Sequence, residues 1–307
     1  MNRTFEIIKN IYKPHRITLK GKTSIFETTN GKFLVKEKGQ SSIKNLYKYL
    51  ISRNFDNFPS LIDGDRVELN VFEYIEDIDT PKEQKALDLI GVISNLHNKT
   101  TYYKEVTEDK YKSIYEEILY NINYLKEVYN KEFERIVHVV YMSPSDYLLI
   151  RNSSGILACL DFAARELDQW YKLVKESKKQ RVAMVHNNLS LDHFIRNEKE
   201  YLVSWEKSKI DTPVLDFISL YKNEFRGLEF EVLINKYLEK YPLNEDELKL
   251  IFIVLALPEA PKITGSEFNK TKEVGKILDY IYKTEKLIRP YYPENEPEKT
   301  AQLNKQD

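Results

Sequence analysis

The segment VAMVHNNLSLDHFIRNEKEYLVSWE, residues 182–206, carries the pattern on which the fold prediction rests. Residues 182–185 form an apolar run, the residues after it lack a regular period, and residues 201–203 form a second short apolar run. Short apolar runs bounded by polar residues are typical of strands. The segment therefore predicts two short strands around a tight irregular loop.

Helical periods dominate the rest of the sequence from residue 80 onward. Thr80-Pro81-Lys82-Glu83 predicts a capping box with proline at the first helical position. The buried face of that helix is predicted to comprise Ala86, Leu89, Ile90, Ile93 and Leu96. Further helices are predicted over residues 110–129 and 156–177, after a Thr212-Pro213 cap, and after Asn244 with Glu247.

The first third of the sequence predicts strands. Residues 24–29 and 32–38 flank Asn30-Gly31, a pair expected to supply the two positive φ values of a tight hairpin turn. A helical stripe follows, with Ser41 or Ser42 as its cap, formed by Ile43, Leu46, Tyr47 and Leu50. Two more strands are expected around Leu61 and over residues 67–75. The predicted class is α+β: a small antiparallel sheet with one helix, then a larger, mainly helical lobe.

The composition of the chain indicates its cellular compartment and excludes some classes of partner. The chain has 47 basic and 48 acidic residues, so no excess charge would hold a nucleic acid or an anionic membrane. Cys159 is the single cysteine, which excludes an internal disulfide and favours a reducing compartment. No apolar run approaches the ~20 residues of a membrane helix. We therefore expect a cytoplasmic protein with neither a nucleic-acid nor a membrane partner.

The order of three motifs follows that of kinase-like phosphotransferases. In those enzymes a strand lysine holds the nucleotide phosphates, a loop Asp acts as base, and a loop Asn with a later Asp holds magnesium. Lys36 ends the second strand of the predicted hairpin, where that lysine belongs. Residues 186–193, HNNLSLDH, match the spacing H-x-D-L-x-x-x-N, and residues 202–206 stand where the magnesium motif follows.

With these motifs the chain resembles the aminoglycoside phosphotransferase and choline kinase superfamily, and within it the kinase-like proteins of bacterial spore coats. Besides residues 186–193 and Trp205, the resemblance rests on Val35-Lys36, Phe72-Glu73-Tyr74-Ile75, Leu96-His97, Tyr141-Met142-Ser143-Pro144-Ser145 and Asp216-Phe217. It implies a two-lobed protein kinase-like fold, with an N-lobe at residues 1–75 and a C-lobe at 76–290. It also implies a nucleotide cleft near Lys36, Glu73 and Ile75. The Pro, Glu, Lys and Gln bias of the end of the chain predicts a disordered tail at 291–307.

The residues expected to perform the chemistry are altered. Asn188 replaces the base, His193 the metal-binding Asn and Ser204 the metal-binding Asp. Residues 40–54 contain no acid to pair with Lys36, since Lys44 or Asn45 stands at about its place, and Gly21 is the one glycine of the phosphate loop. General-base assistance is typically worth ~10²–10⁴ in rate. We therefore predict a pseudoenzyme with a protein-interaction or regulatory role, no cofactor and another protein as its partner.

Two alternatives stay open. Asp192 and Glu206 could hold magnesium in a shifted arrangement, which would make the chain an active ATP-dependent phosphotransferase acting on a small molecule. The chain could also bind a nucleotide as a regulator without turnover. Among the remaining polar residues, His186 and Asp216 are expected to brace the loop, and His193 could ligate a metal only together with Asp192.

Overall fold

The computed structural model describes residues 3–21, 23–38, 42–64, 68–262 and 264–293. The chain divides into two compact units, each made of two chain segments. Unit 1 comprises Met1–Ile114 and Trp170–Ile251, and unit 2 comprises Tyr115–Gln169 and Phe252–Asp307. The predicted boundary between residues 75 and 76 falls inside unit 1 and stays a prediction. Ser41 as a cap and the tail from residue 294 onward lie outside the described residues.

A five-stranded antiparallel sheet in the order β1-β2-β3-β5-β4 forms the N-terminal part of unit 1. Its strands are β1 (Arg16–Lys20), β2 (Thr23–Thr28), β3 (Gly31–Glu37), β4 (Leu61–Asp63) and β5 (Leu69–Glu73). The predicted hairpin is therefore present, and the predicted strand over residues 67–75 is shorter at both ends. Lys36 lies near the end of β3, as the sequence predicts.

One face of this sheet is covered by a helix that the sequence analysis did not predict, α1 (Arg3–Tyr12). Ile8 of α1 is fully buried against Phe26, Val35 and Val71 of the sheet. Phe5 meets Phe26 edge to face, with ring centroids 5.5 Å apart. Side chains alternate along a strand, so Val35 faces α1 and Lys36 faces the opposite side.

The hairpin turn differs from the expected geometry. Thr28 pairs with Gly31, which leaves Thr29 and Asn30 as the loop. Gly31 has a φ of +119°, whereas Asn30 does not have a positive φ. The expectation of two positive φ values was wrong, because a turn followed by one left-handed glycine closes a hairpin equally well.

The helices that follow confirm the predicted stripes but not every predicted cap. Ser42 caps α2 (Ile43–Ser52) by accepting a hydrogen bond from the backbone N–H of Asn45. Helix α3 (Lys82–Thr100) buries the predicted apolar face. The predicted capping box was wrong: α3 begins after Pro81 without a side-chain cap, and the Thr80 hydroxyl donates instead to the carbonyl of Ile78 at 3.0 Å.

The remaining strands of unit 1 form two small antiparallel sheets. One has the order β10-β7-β6 and the other pairs β8 with β9. Their bounds are β6 (Tyr102–Glu105), β7 (Lys179–Val185), β8 (Phe194–Arg196), β9 (Glu200–Leu202) and β10 (Lys209–Asp211). The predicted runs over residues 182–185 and 201–203 are thus strands of different sheets. The sequence analysis missed β6, β8 and β10, which are three or four residues long.

Helices α7 (Val214–Glu224) and α8 (Phe230–Lys240) belong to unit 1, and most of α9 (Glu245–Leu255) does as well. Pro213 precedes α7 without a side-chain cap, so the predicted Thr212 cap was wrong. At the start of α9 the backbone N–H of Asn244 donates to the Glu247 carboxylate at 2.9 Å, as a capping box requires.

Unit 2 is helical in the part that the structure describes. It contains most of α4 (Glu108–Val137) and α6 (Ser153–Val174), together with α5 (Pro144–Arg151) and α10 (Glu267–Ile288). The predicted helices over residues 110–129 and 156–177 correspond to α4 and α6, and α5 and α10 were not predicted. Helix α10 packs against α5, where the Glu267 carboxylate accepts the backbone N–H of Ser145 at 2.7 Å.

The predicted α+β class is confirmed. Within the described ranges, no helix combines the length and the apolar composition that crossing a bilayer requires.

Candidate functional site

The candidate site lies in unit 1 and is centred on Lys36. Its ammonium is 2.5 Å from Oε1 of Glu206 and 3.5 Å from the Ser204 hydroxyl. The Lys36 and Glu206 side chains are 22% and 29% exposed, so the pair is partly shielded from water. The structure thus brings together three of the residues that the sequence singled out.

Strand register places other polar side chains in the same row as Lys36. Thr23 of β2 lies directly opposite Lys36, and Asn70 of β5 lies opposite it on the other side. Lys20 of β1 is in turn opposite Thr23. Residues paired across antiparallel strands project from the same face, so Lys20, Thr23, Lys36 and Asn70 form one row. The sequence analysis missed Lys20 and Thr23 because register links them only once the sheet is formed.

A short turn presents Glu206 to Lys36. Ser204 has left-handed backbone angles, φ +67° and ψ +50°, and Trp205–Lys207 then forms one 3-10 turn. Trp205 is buried and donates its indole N–H to the carbonyl of Leu202 at 2.8 Å. This turn therefore directs neighbouring side chains in different ways, with Trp205 inward and Glu206 toward Lys36.

The loop after β7 holds Asn188 and His193, the other two positions that the sequence predicts to be altered. The Asn188 side-chain oxygen accepts from the Lys207 ammonium at 3.3 Å, and Nδ1 of His193 lies 2.7 Å from the backbone carbonyl of Asn188. Asn188 cannot act as a general base, because an amide has no basic lone pair at neutral pH. Lys207 is a contributor that sequence reasoning missed, although its adjacency to Glu206 was a usable signal.

His186 is fully buried beneath this loop. Its Nε2 lies 2.8 Å from the backbone carbonyl of Val203, an acceptor, so Nε2 carries the proton. Nδ1 has no hydrogen-bond partner within the described part of the chain. Burial lowers the pKa of His186, and the ring is therefore neutral near pH 7. The hydrogen bond from His186 to Val203 therefore connects the loop after β7 with the segment between β9 and Ser204.

A buried carboxylate anchors the same loop. Asp216, at the start of α7, accepts the backbone N–H of His186 at 2.8 Å and that of Asn187 at 2.6 Å. Nε2 of His97 is 3.1 Å from the same carboxylate, and Nδ1 of His97 is 2.7 Å from the Tyr237 hydroxyl. Burial raises the pKa of Tyr237 well above its usual range. These groups position the loop and do not face the Lys36 cluster.

Tyr47 of α2 is directed toward the interior, whereas Lys44 and Asn45 are exposed. It stacks on Phe58, with ring centroids 3.9 Å apart, and Phe58 packs against Trp205. Burial, reinforced by the negative charge of Glu206, raises the pKa of Tyr47. The helix therefore supplies a neutral phenol near the site, and the counter-charge of Lys36 comes from the turn after β9.

The remaining predicted site residues do not join this cluster. Asp192 is exposed on the 3-10 turn Leu191–His193 and makes no ion pair with another described residue. Glu73 is opposite Phe33, three positions along β3 from Lys36, and projects from the other face of the sheet. Ile75 follows the end of β5. The roles assigned to these three residues stay predictions.

The donor set at Lys36 does not fit a magnesium-bound nucleotide phosphate. Magnesium prefers carboxylate and water oxygens in octahedral geometry. Glu206 is the carboxylate at this cluster, and it is already paired with Lys36. Across the described residues, no three His, Cys, Asp or Glu side chains converge in a way that could hold a metal ion.

A separate polar groove of about 710 Å³ lies along α3 and α8 in unit 1. Its lining includes the amide side chains of Gln84, Asn95 and Asn98, and two lysines of α8, Lys236 and Lys240. Lys36 and Glu206 do not line this groove.

The fold is that of aminoglycoside phosphotransferases. The chain superimposes on an aminoglycoside phosphotransferase from Alicyclobacillus acidocaldarius with a TM-score of 0.65 and 9% identity, covering 90% of each chain. It also superimposes on the AMP-bound spectinomycin phosphotransferase APH(9)-Ia with a TM-score of 0.57 and 11% identity, covering 92% of this chain and 97% of that one. At these identities the likeness shows the fold alone. No protein-family model matches the sequence, and no curated protein is similar to it at the sequence level.

Proposed function

We propose that this chain is a pseudokinase, a protein with the phosphotransferase fold that acts by binding and does not transfer phosphoryl groups. One observation carries the proposal: Lys36 is paired with Glu206 at 2.5 Å, while Asn188, His193 and Ser204 occupy the positions of the base and the metal ligands. Most of the barrier reduction in phosphoryl transfer comes from electrostatic stabilisation by metal ions and positioned charges. That contribution is what these replacements remove.

The biological setting remains part of the proposal. Resemblance to kinase-like proteins of bacterial spore coats supports a structural or regulatory role with another protein as partner. The single cysteine, Cys159, supports a cytoplasmic location.

The test is an assay for ADP release with ATP, magnesium and a broad set of hydroxyl acceptors. We expect no release above a protein-free blank, and no difference between the wild-type protein and Lys36→Ala. Turnover in the wild-type protein that Lys36→Ala abolishes would refute the proposal.

Restoring the altered positions tests whether they alone account for inactivity. The triple variant Asn188→Asp, His193→Asn and Ser204→Asp recreates the motif residues of an active site. We expect it to remain inactive, because residues 40–54 contain no acid to pair with Lys36, and Gly21 is the one glycine of the β1–β2 turn region. Activity in this variant would show that the scaffold still binds nucleotide and metal productively.

A second candidate is an active small-molecule phosphotransferase that uses ATP and magnesium. Its support is the Glu206 carboxylate, two residues beyond the expected metal ligand and in contact with Lys36. On this hypothesis Glu206→Gln abolishes ADP release, while the control Glu239→Gln, at an exposed carboxylate of α8, leaves it unchanged. Equal activity of Glu206→Gln and wild type would exclude this role for Glu206.

A further inference from the structure

The polar groove along α3 and α8 is a second candidate binding site, separate from the Lys36 cluster. A stripe of α3 that runs from Gln84 to Asn98 lines it. This stripe is about 21 Å long at a rise of about 1.5 Å per residue, which is the length of about six residues of an extended chain. The groove therefore has the length for an elongated ligand.

Gly91 lies in the middle of this stripe, and close packing of another element does not explain it. A glycine inside a helix is destabilising relative to alanine. Apart from the neighbouring part of α3 itself, one atom of the described residues lies within 4 Å of a Cβ atom added at Gly91, the Lys240 ammonium at 3.3 Å. No backbone of another element approaches α3 there, so the bare helix surface at Gly91 is open to a ligand.

Three polar groups that line the groove have no partner in the described part of the chain. The Lys240 ammonium makes no ion pair, although the backbone carbonyl of Lys240 accepts from the Asn98 amide at 2.6 Å. Asn95 is half-buried one turn after Gly91, and its amide makes no hydrogen bond. The half-buried Glu200 carboxylate of β9 makes no ion pair either. The groove therefore offers free donors and a free acceptor.

The other charged groups of the groove are already paired. Asp88 pairs at 2.7 Å with Arg196, which lies opposite Glu200 across the β8–β9 hairpin. Lys236 pairs with Glu239 at 3.3 Å. The unpaired charges of the described lining are therefore one ammonium and one carboxylate, whereas a polyanion such as a nucleic acid requires an excess of cations.

The residue types that line the groove favour a peptide over other polar ligands. Among the described lining residues there is no aromatic ring on which a nucleobase could stack. The side-chain amides of Gln84, Asn95 and Asn98 each contain both a donor and an acceptor, as a peptide group does. A row of amides along one helix therefore complements the backbone of an extended chain.

We propose that this groove binds an extended peptide segment of a partner protein. An acidic residue of the segment lies over Gly91 between Lys240 and Asn95, and a basic residue pairs with Glu200. An ammonium and an amide N–H both donate to a carboxylate. The inference goes beyond the proposed function, because it locates a contact with a protein partner and does not require the Lys36 site to be inactive.

The experiment measures the fluorescence anisotropy of labelled peptides titrated with the full chain, without nucleotide. The probes are octapeptides of glycine and serine with blocked termini and a neutral fluorophore. Each carries one aspartate and one lysine, and together they cover every separation in both orders. We expect at least one arrangement to bind, and the same peptide with asparagine in place of aspartate to bind about tenfold more weakly, the usual value of one charge-assisted hydrogen bond.

Two variants of the protein place the peptide in the groove. Lys240→Ala should weaken binding about tenfold, whereas Lys48→Ala, at an exposed lysine of α2 outside the groove, should not. Gly91→Ala should also weaken binding, because its methyl group covers the helix surface that the acidic residue approaches, and it should do so without lowering the melting temperature. Gly275→Ala of α10 is the matched control that should leave binding unchanged.

Reversing the charge on both sides separates a direct contact from a structural role. Lys240→Glu should reject the peptide that carries aspartate. It should bind the same peptide with lysine in place of aspartate more tightly than the wild-type protein does, because opposite charges then face each other again.

Absence of binding for every peptide at millimolar concentration would overturn this inference, as would binding that neither Lys240→Ala nor Gly91→Ala weakens. Equal losses in the two control variants would do the same. The titrations contain no nucleotide, so these failures leave the proposed lack of catalysis intact. Conversely, ADP release that depends on Lys36 would refute the proposed function and leave peptide binding in the groove intact.

Discussion

Asp216 is the residue whose loss should cost the most stability. Its buried carboxylate accepts two backbone N–H groups of the loop and contacts His97. Asp216→Ala leaves all three groups without their partner, and unsatisfied buried polar groups cost about 1–3 kcal/mol each. We expect the free energy of unfolding, measured in urea, to fall by about 3 kcal/mol or more. The exposed Asp192→Ala should change it by less than about 0.5 kcal/mol, and a similar small change in Asp216→Ala would contradict the anchoring role.

His186 predicts a pH dependence of stability. Burial lowers its pKa in the folded state, so the unfolded chain binds the proton more readily. Stability from this group is therefore complete above the ordinary histidine pKa of about 6.5 and is lost as pH falls below it. Between about pH 7.5 and 5.5 the slope should reach up to about 1.4 kcal/mol per pH unit.

His186→Gln provides the comparison, since its amide can donate to the carbonyl of Val203 but does not titrate. We expect urea unfolding of this variant to be less dependent on pH than unfolding of the wild type. The exposed His138→Gln should retain the wild-type slope, and identical slopes in all three proteins would exclude His186 as the source.

For individual residues, the sequence predicted motifs formed by residues close together in the chain. It did not predict contacts between residues that are far apart in the chain. Asn188, His193 and Ser204 were singled out because their spacing is local, and their roles stay predictions. Lys36 and Glu206 are far apart in the sequence, and their contact depends on how β3 and the turn after β9 come together.

Among the secondary-structure elements, the β2–β3 hairpin can be tested by substituting Gly31, which closes its turn. Its φ of +119° is unfavourable for any residue with a Cβ atom, while no atom would contact an added Cβ within 4 Å. Gly31→Ala should therefore destabilise the protein through the backbone alone, by about 1–3 kcal/mol. Gly275 of α10 has equally open space, so Gly275→Ala should stabilise by about 0.5–1 kcal/mol. Thermal unfolding of the two variants should shift in opposite directions, and two shifts of the same sign would contradict this assignment.

Several elements with regular apolar patterns were predictable, but helices α8 and α10 and three short strands were missed. Helix α3 was found because its apolar face repeats over many turns, whereas β6, β8 and β10 have too few residues for any period to be recognised. Helix α1 was missed although Phe5, Ile8 and Tyr12 lie on one face, because polar residues divide its apolar residues into short pieces. The predicted caps at Thr80 and Thr212 were wrong because each helix begins one residue later, after Pro81 and after Pro213.

At the scale of the whole molecule, unit 2 depends on a segment distant in sequence from the rest of that unit. Helix α10 contributes Glu267 to the start of α5, and Tyr280 donates to the carbonyl of Leu255 at 2.9 Å. A chain that ends at residue 262 lacks both contacts and exposes the buried face of the unit. We expect it to lose more helical circular dichroism than the deleted residues account for, and to aggregate on size-exclusion chromatography. A monomer whose helical signal falls only by the share of α10 would contradict this dependence.

The packing around Trp205 gives the protein a natural optical reporter. The chain has two tryptophans, and both are buried in unit 1. Trp170 packs against Tyr111, while Trp205 lies between Ser204 and Glu206 with its ring 4.9 Å from that of His186. In a Trp170→Phe background, intrinsic fluorescence would come from Trp205 alone, the neighbour in sequence of Glu206, which pairs with Lys36. Movement of the turn on ligand entry could then be followed in real time, without a dye or an added label.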